Sequence, residues 1–524
     1  MTWDATEPYM AESKKIVWEV APYLRGRGLD IGAGDFKVLP HVISVDNMHH
    51  SQFGFSVKPD VMCEASNLDV FGSQSMDFVY SSHTLEHIAD YENTLKEWWR
   101  VIKQNGYLIL YLPDEDEYPK VGTPHANPDH KWDVNYDKVV NAMSCVKGGW
   151  DLIDFQKRNA DNEYSLYFVF KKQNSDKFKF SYKNPKPEKT ACVVRYGAFG
   201  DMMMASSVWA GLKKQGYHVT VFCSRPGSDV VTNDPNIDNL VLFDKDQVPN
   251  ANLVDFWGYQ ANKFDKFVNL SESVEGTFLA MPGRAPHKWP AALRHKHMNA
   301  NYVQFSHELA GVPHEPQVKF YPTTEELDWA RKTRAKMGDG VIMWSLAGSS
   351  VHKTWAGLDN ILAAVMTNFP SVHVVLVGGP ECVMLEAGWE NEPRVHKTSG
   401  KWSIRQSLSF LYECDLVIGS ETGVLNAAAC LDVPKITLLS HSTHENLTRD
   451  WKNVIPIASE NTTCPGRGNN DAPACHQLHY GWVHCKQDPH QGVAQCQADI
   501  SVDTVWQATY GVIKAALERN RKVA

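Results

Sequence analysis

Short, almost unbroken apolar runs recur along this chain, each bounded by glycine or a polar cluster and followed by a stretch with helical spacing. "TACVVRY", "HVTVFCS", "KFVNLS", "GVIMWS", "SVHVVLV" and "CDLVIGS" all read this way. Apolar runs without alternation are strands buried on both faces, and their interleaving with helices predicts parallel sheets in an α/β fold. Nearer the start, "GRGLDIGAGDFKVLPHVISVDN" (Gly26 to Asn47) predicts a strand, a glycine turn, a short helix and a second strand ending at Asp46. "WDLIDFQKRNADNEYSLYFVFKK" (Trp150 to Lys172) differs, because its apolar positions alternate on either side of Asn159, Ala160, Asp161 and Asn162. That pattern predicts a hairpin.

The hairpin is followed by "QNSDKFKFSYKNPKPEK" (Gln173 to Lys189), which is polar, lysine-rich and proline-bearing. Such composition marks a linker. The expected division is a first domain over 1–172, a linker over 173–189, and two α/β lobes over 190–335 and 336–524. A chain of 524 residues has room for about three domains. Near 322–340 a helix precedes "GVIMWSLAGSS", where a second strand-turn unit opens.

Composition narrows the class. Hydrophobic residues make up 43% and charged residues 22%, ordinary for a globular protein. A net charge of −9 argues against the whole surface serving as a nucleic-acid footprint, while leaving room for a local basic patch. No apolar run approaches the ~18–20 residues of a membrane span, and "MTWDATEPYMAESKK" lacks the form of a signal peptide. A cytoplasmic protein is expected.

Chemistry enters at the glycine turns. Glycines 32 and 34 let backbone approach a ligand closely, and an acid ending the next strand can accept both hydroxyls of a ribose. The interval from Gly34 to Asp46 is shorter than the ~20 residues of the dinucleotide fingerprint. Together with "SSHTLEH" and the segments around it, residues 15–172 resemble the class I S-adenosylmethionine-dependent methyltransferases. The resemblance implies that Asp30, Gly32 and Gly34 hold the methionine end of the cofactor, that Asp46 binds its ribose, and that Glu64 and Ala65 flank the adenine. Ser82 and His83 would face the reacting methyl. Phe36 stands where that family has a third glycine, and Asn105-Gly106 stands for its later glycine pair. Transfer to a hydroxyl needs alignment and a base. "TPHANPDHKWDVN" offers His125, Asp129 and His130 for that purpose, although a loop-ordering role explains them equally well.

Three later motifs occur in order: "RYGAFGD" (Arg195 to Asp201), "SLAGSSVHKTW" (Ser345 to Trp355) and "GSETGVLNAAA" (Gly419 to Ala429). With them, residues 190–460 resemble the family-nine, heptosyltransferase-like glycosyltransferases of the two-lobed GT-B fold. The resemblance implies Asp201 as general base and Lys353 on the donor phosphates. Thr422 and Gly423 would form the phosphate turn, Glu421 would bind the donor ribose, and Asn426 would lie in the donor site. Glu421 and Asn426 replace that family's usual Asp and His. The chemistry implied is inverting transfer from a nucleotide-sugar, the leaving charge being held by Lys353 and backbone N–H groups. No catalytic metal is expected.

"HKWPAALRHKH", just after Arg284, is the densest basic stretch. It is either a solvated face or, through Arg284, Lys288 and Trp289, a contact for an anionic saccharide or the modified bases of a nucleic acid. Of eleven cysteines, Cys464, Cys475, Cys485 and Cys496 cluster in the tail. Their spacing lacks the CxxC of a zinc ribbon, so two disulfides or a structural zinc both remain open. The expected protein is a bifunctional enzyme that transfers a sugar from a nucleotide-sugar and methylates a saccharide or related acceptor with S-adenosylmethionine. A glycosyltransferase for modified viral DNA bases is the alternative. A binding protein whose methyltransferase-like half has lost its chemistry is the alternative of another class.

Overall fold

The computed structural model describes residues 12–48, 58–160, 162–174, 177–180, 189–244, 247–271, 300–316, 319–348, 353–429, 431–440, 442–459 and 487–523. The chain forms two compact units, Met1–Glu188 with Phe243–Lys263, and Lys189–Leu242 with Phe264–Ala524. Both are α/β, as the hydrophobic pattern requires. Among the described residues no helix is long and apolar enough to cross a membrane.

The first unit is built on one eight-stranded sheet with spatial order β3-β2-β1-β4-β5-β7-β6-β8. The strands are β1 (Gly28–Ile31), β2 (Ile43–Asp46), β3 (Val61–Met62), β4 (Met76–Ser82), β5 (Ile102–Pro113), β6 (Trp150–Arg158), β7 (Ser165–Lys172) and β8 (Phe178–Phe180). From β1 the chain winds outward through β2 and β3, then returns to lay β4 on the other side of β1. A crevice therefore opens at the carboxyl ends of β1 and β4, where open α/β sheets bind ligands. β6 and β7 form the expected antiparallel hairpin, with β7 inserted beside β5.

Two local features depart from the sequence pattern. Between β1 and β2 the chain makes turns in place of a short helix. The buried carboxylate of Asp30 accepts the N–H of Val38 at 2.7 Å, and Pro40, which has no N–H, follows closely. Within the polar stretch after the hairpin, the alternating Phe-Lys-Phe of β8 pairs with β6, and Phe178 lies 5.1 Å from Trp150.

Helix Tyr91–Val101 starts at Asp90, whose side chain accepts the N–H of Asn93, and buries Leu95, Trp98 and Trp99 against the sheet. Helix Leu253–Asn262 also belongs to this unit. Its Gln260 donates to the carbonyl of Trp18 at 2.7 Å, while Lys263 and Tyr259 each approach the buried Glu19 at 2.5 Å.

The second unit holds two parallel sheets. The first has order β11-β10-β9-β12, from β9 (Thr190–Val194), β10 (His218–Cys223), β11 (Asn239–Leu242) and β12 (Lys266–Asn269). The second has order β15-β14-β13-β16-β17-β18, from β13 (Gly340–Ser345), β14 (Val372–Val377), β15 (Val395–Lys397), β16 (Leu416–Ser420), β17 (Lys435–Leu439) and β18 (Val454–Ala458). One apolar core runs through both lobes and includes Val193, Met202 and Trp209 with Val341, Val417 and Leu425. The opposite face of the second sheet packs on helices Leu358–Asn368 and Val502–Val523. Arg405 ties the lobes by pairing with Glu326 and donating to the carbonyls of Asp229 and Tyr321.

Candidate functional site

Each unit brings one group of candidate residues together at the carboxyl ends of its strands. In the first unit, Gly32 and Gly34 take the left-handed conformation, with φ of 74° and 55°. A Cβ on Gly32 would fall 1.9 Å from Thr84 Oγ1, so close packing against the turn after β4 already demands glycine there. Asp46 joins the turn to β2. Its Oδ2 accepts the N–H of Gly34 at 3.0 Å and its Oδ1 that of Met48 at 2.7 Å. Beside it, Glu64 accepts from the Asn47 amide at 2.9 Å, and the carbonyl of Ala65 accepts from Trp98 Nε1. Two carboxylates at adjacent strand ends, beside a glycine turn at the switch point, fit the ribose and adenine end of S-adenosylmethionine. Asp30 lies deeper. Burial raises its carboxyl to about 7, and its Oδ2 is used by Val38, so it supports the turn from beneath. Phe36, at the position of the missing glycine, is covered by the ammonium of Lys14 at 3.9 Å.

Past Ser82, His83 adopts φ 47° and its Nε2 meets Ser165 Oγ at 2.9 Å. Burial lowers this imidazole to about 3, so it is neutral at physiological pH. Its ring packs edge-on against Tyr111 and Tyr164, and Tyr118 stands between Tyr164 and His130. His130 is buried and also held neutral by burial. The loop carrying it docks on the turn after β4: Lys131 donates to the carbonyl of Glu86 at 2.8 Å, and Trp132 Nε1 to that of Leu85 at 3.0 Å. His125 on the same loop is exposed. Of the three base candidates, His130 is the one brought against His87 and Glu86. Glu86 and His87, which no glycine turn or strand end singles out in the sequence, stand in the same "SSHTLEH" segment.

In the second unit, two glycine turns face each other. Helix Phe199–Lys214 and helix Gly423–Ala428 meet at their N-termini, where a Cβ on Gly200 would lie 2.4 Å from Asn426 Nδ2. One on Gly423 would lie 2.9 Å from Phe199 Cβ. Asp201 sits in the first turn of its helix, with Oδ2 accepting the N–H of Ala198 at 2.9 Å and Oδ1 3.0 Å from Arg195 Nη2. Arg195 is anchored by the carbonyl of Leu270. Arg195 opens "RYGAFGD", but only the fold shows it paired with Asp201.

On the facing side, the carbonyl of Lys353 accepts from Ser420 Oγ, and the Lys353 stem packs beside Gly348. The buried Glu421 accepts the N–H groups of Ser440 and Ser442 at 2.9 Å and the Ser440 hydroxyl at 2.7 Å. Thr422 caps its helix and bonds Ser345 Oγ at 2.9 Å. Asn426 Oδ1 is buried without a hydrogen-bond partner. Arg284, Lys288, Trp289, Cys464, Cys475 and Cys485 lie outside the described residues, and Cys496 lies in the short helix Gln495–Ala498 ahead of the C-terminal helix.

Two family models match separate parts of the chain. A methyltransferase domain family matches residues 36–110, and glycosyltransferase family 9 (heptosyltransferase) matches residues 285–476. No curated protein matches the chain. Among solved structures, a family 9 glycosyl transferase of Veillonella parvula DSM 2008 is 16% identical over 63% of this chain and 100% of its own, with TM-score 0.47. An ADP-heptose LPS heptosyltransferase II of E. coli is 12% identical over 62% and 99%, with TM-score 0.44. A methyltransferase of Bacillus halodurans C-125 is 13% identical over 31% and 99%, with TM-score 0.24.

Proposed function

We propose that this transferase, with a methyltransferase domain ahead of a family 9 glycosyltransferase region, moves a sugar from a nucleotide-sugar to an acceptor hydroxyl with inversion, and methylates a saccharide or related acceptor. The observation that carries the glycosyl-transfer reading is the pair of facing glycine turns. They set a carboxylate, Asp201, on one lobe opposite Lys353, Thr422 and Asn426 on the other. In this reading Asp201 takes the acceptor proton, and Arg195 fixes its orientation. Lys353 offsets the charge of the departing nucleotide. Glu421 holds the Ser440–Ser442 loop against the turn, so any ribose contact it makes shares oxygens already in hydrogen bonds. Asn426 offers a buried acceptor to the donor.

For methyl transfer, Asp46 and Glu64 would hold the ribose side of S-adenosylmethionine, and the Gly32–Gly34 turn its methionine side. That cofactor supplies an electrophilic methyl group on sulfur. The residues past β4 do the rest: the Tyr118 ring, packed on Tyr164, stands beside His130, whose imidazole takes the acceptor's proton, whereas His83, held at about 3 by burial, is too weak a base for it. Arg284, Lys288 and Trp289 are proposed to contact an anionic acceptor of the glycosyl reaction, and the setting proposed is cytoplasmic.

A panel of nucleotide-sugars, scored for release of nucleoside diphosphate with and without saccharide acceptors, tests the reading. One donor should be consumed with acceptor-dependent stimulation. Consumption of none would overturn the glycosyl-transfer assignment.

A further inference from the structure

The turn after β4 holds a carboxylate that no other role accounts for. Glu86 is fully buried, and neither of its side-chain oxygens has a hydrogen-bond partner. A buried charge without donors or a counter-charge is strongly unfavourable, so such a carboxylate either stays protonated or meets a cation. Two imidazoles face it. The Nε2 atoms of His87 and His130 each lie 3.9 Å from Glu86 Oε1, and the three prospective ligand atoms fall within 4.8 Å of one another. The His87 and His130 rings stand edge to face at 4.8 Å. This convergence is built by the backbone: the bonds from Lys131 and Trp132 pin the His130 loop onto the turn, and Trp132 stacks on Tyr91 at 3.8 Å.

We propose that Glu86, His87 and His130 form a binding site for one divalent transition-metal ion of the zinc class. Zinc bonds imidazole nitrogen and carboxylate oxygen at about 2.0–2.2 Å, which places tetrahedral ligand atoms roughly 3.4 Å apart. The two Glu86–imidazole pairs, at 3.9 Å, need to close by about half an ångström, and the widest pair, at up to 4.8 Å, by about 1.4 Å, which side-chain rotation of His87 and His130 supplies. Two imidazoles and one carboxylate favour zinc, iron or cobalt over magnesium and calcium, which prefer all-oxygen sites. Three protein ligands leave coordination open for water or an oxygen of a bound molecule. His83, whose Nε2 is fixed on Ser165, places its Nδ1 3.6 Å from the same Glu86 Oε1. An ion on His130 Nε2 takes that nitrogen out of the base role assigned above, so the two uses of His130 exclude each other, and ion binding does not depend on the base assignment.

The test is titration of the full chain, first stripped by chelator, with Co(II), followed by visible absorption and calorimetry. One ion per chain should bind with nitrogen–oxygen ligand-field bands, and any further ion taken by the tail cysteines is set apart by its thiolate charge-transfer band. His130→Ala and Glu86→Gln should each weaken binding by more than the ~10–100-fold typical of losing a supporting residue. His87→Asn, at a partly exposed position, provides an independent variant should Glu86→Gln fail to fold. His125→Ala, on the same loop but exposed, should bind as the parent does. Cobalt affinity unchanged in His130→Ala and His87→Asn, or an ion held only through thiolate, would overturn the site. No S-adenosylmethionine is present in the experiment, so its failure leaves the methyl-transfer reading standing, and the converse also holds.

Discussion

The guanidinium of Arg195 stands 3.0 Å from the carboxylate of Asp201, closing the loop between β9 and the helix that follows it. The other carboxylate oxygen caps that helix through Ala198. Asp201 is thus oriented by two partners and remains about one-third exposed, at 34%. A base in this position needs both fixation and access. Asp201→Asn keeps the shape and removes the proton acceptor, so turnover with an active donor should fall about 10²–10⁴-fold. Donor affinity, measured by calorimetry, should change little. Arg195→Gln should lower turnover by less, because the carboxylate survives with looser orientation. Near-normal turnover in Asp201→Asn would reduce the aspartate to a capping residue.

Gly200 and Asn426 make a second relationship open to test. Alanine at 200 would drive its Cβ to 2.4 Å from Asn426 Nδ2, forcing the amide to move. Overpacking of this kind costs about 1–3 kcal/mol. Gly200→Ala should therefore lower the unfolding midpoint of the second unit and weaken donor binding. Asn426→Ala should recover much of the lost stability in the double variant while leaving the donor weakly held. Equal stability of Gly200→Ala and the parent in urea would show that the turns have more room than the geometry gives them.

Asp30 predicts a pH dependence of stability in the first unit. Burial raises its carboxyl to about 7. The folded protein then binds this proton more tightly than the unfolded chain does, and stability falls as pH rises from about 4 to 7 and levels off above. The full difference amounts to roughly 4 kcal/mol. Asp30→Asn, which can still accept the Val38 N–H, should flatten the contribution. Calorimetric midpoints at pH 5 and pH 8 should draw together in the variant relative to the parent. An unchanged pH slope would show that Asp30 is ionised when folded.

Much of this architecture was legible because buried parallel strands write themselves as unbroken apolar runs. β9, β10, β13, β14 and β16 lie where those runs fall, and Asp46 ends its strand as the pattern implies. Less legible was anything set by contact between distant segments. Gly32 looked like a cofactor glycine, yet Thr84 packs where its Cβ would be. Glu421 looked like a ribose acid, but its oxygens bind a loop about twenty residues on, at Ser440 and Ser442. Helix Leu253–Asn262 belongs with the first unit through Trp18 and Glu19, and no local pattern announces such a pairing. The convergence of Glu86, His87 and His130 likewise depends on a loop docking through Lys131 and Trp132.

The central claim is that two separate ligand sites operate in one chain, and crossed calorimetry tests it most directly. S-adenosylhomocysteine and the active nucleotide-sugar are each titrated into the parent, Asp46→Ala and Lys353→Ala proteins. Asp46→Ala should weaken S-adenosylhomocysteine by about 1–3 kcal/mol, the loss of hydrogen bonds to a charged group, and leave the sugar donor unaffected. Lys353→Ala should weaken the donor and leave S-adenosylhomocysteine unaffected. Failure of the parent to bind one of the two ligands, or unchanged affinities in both variants, would contradict the account.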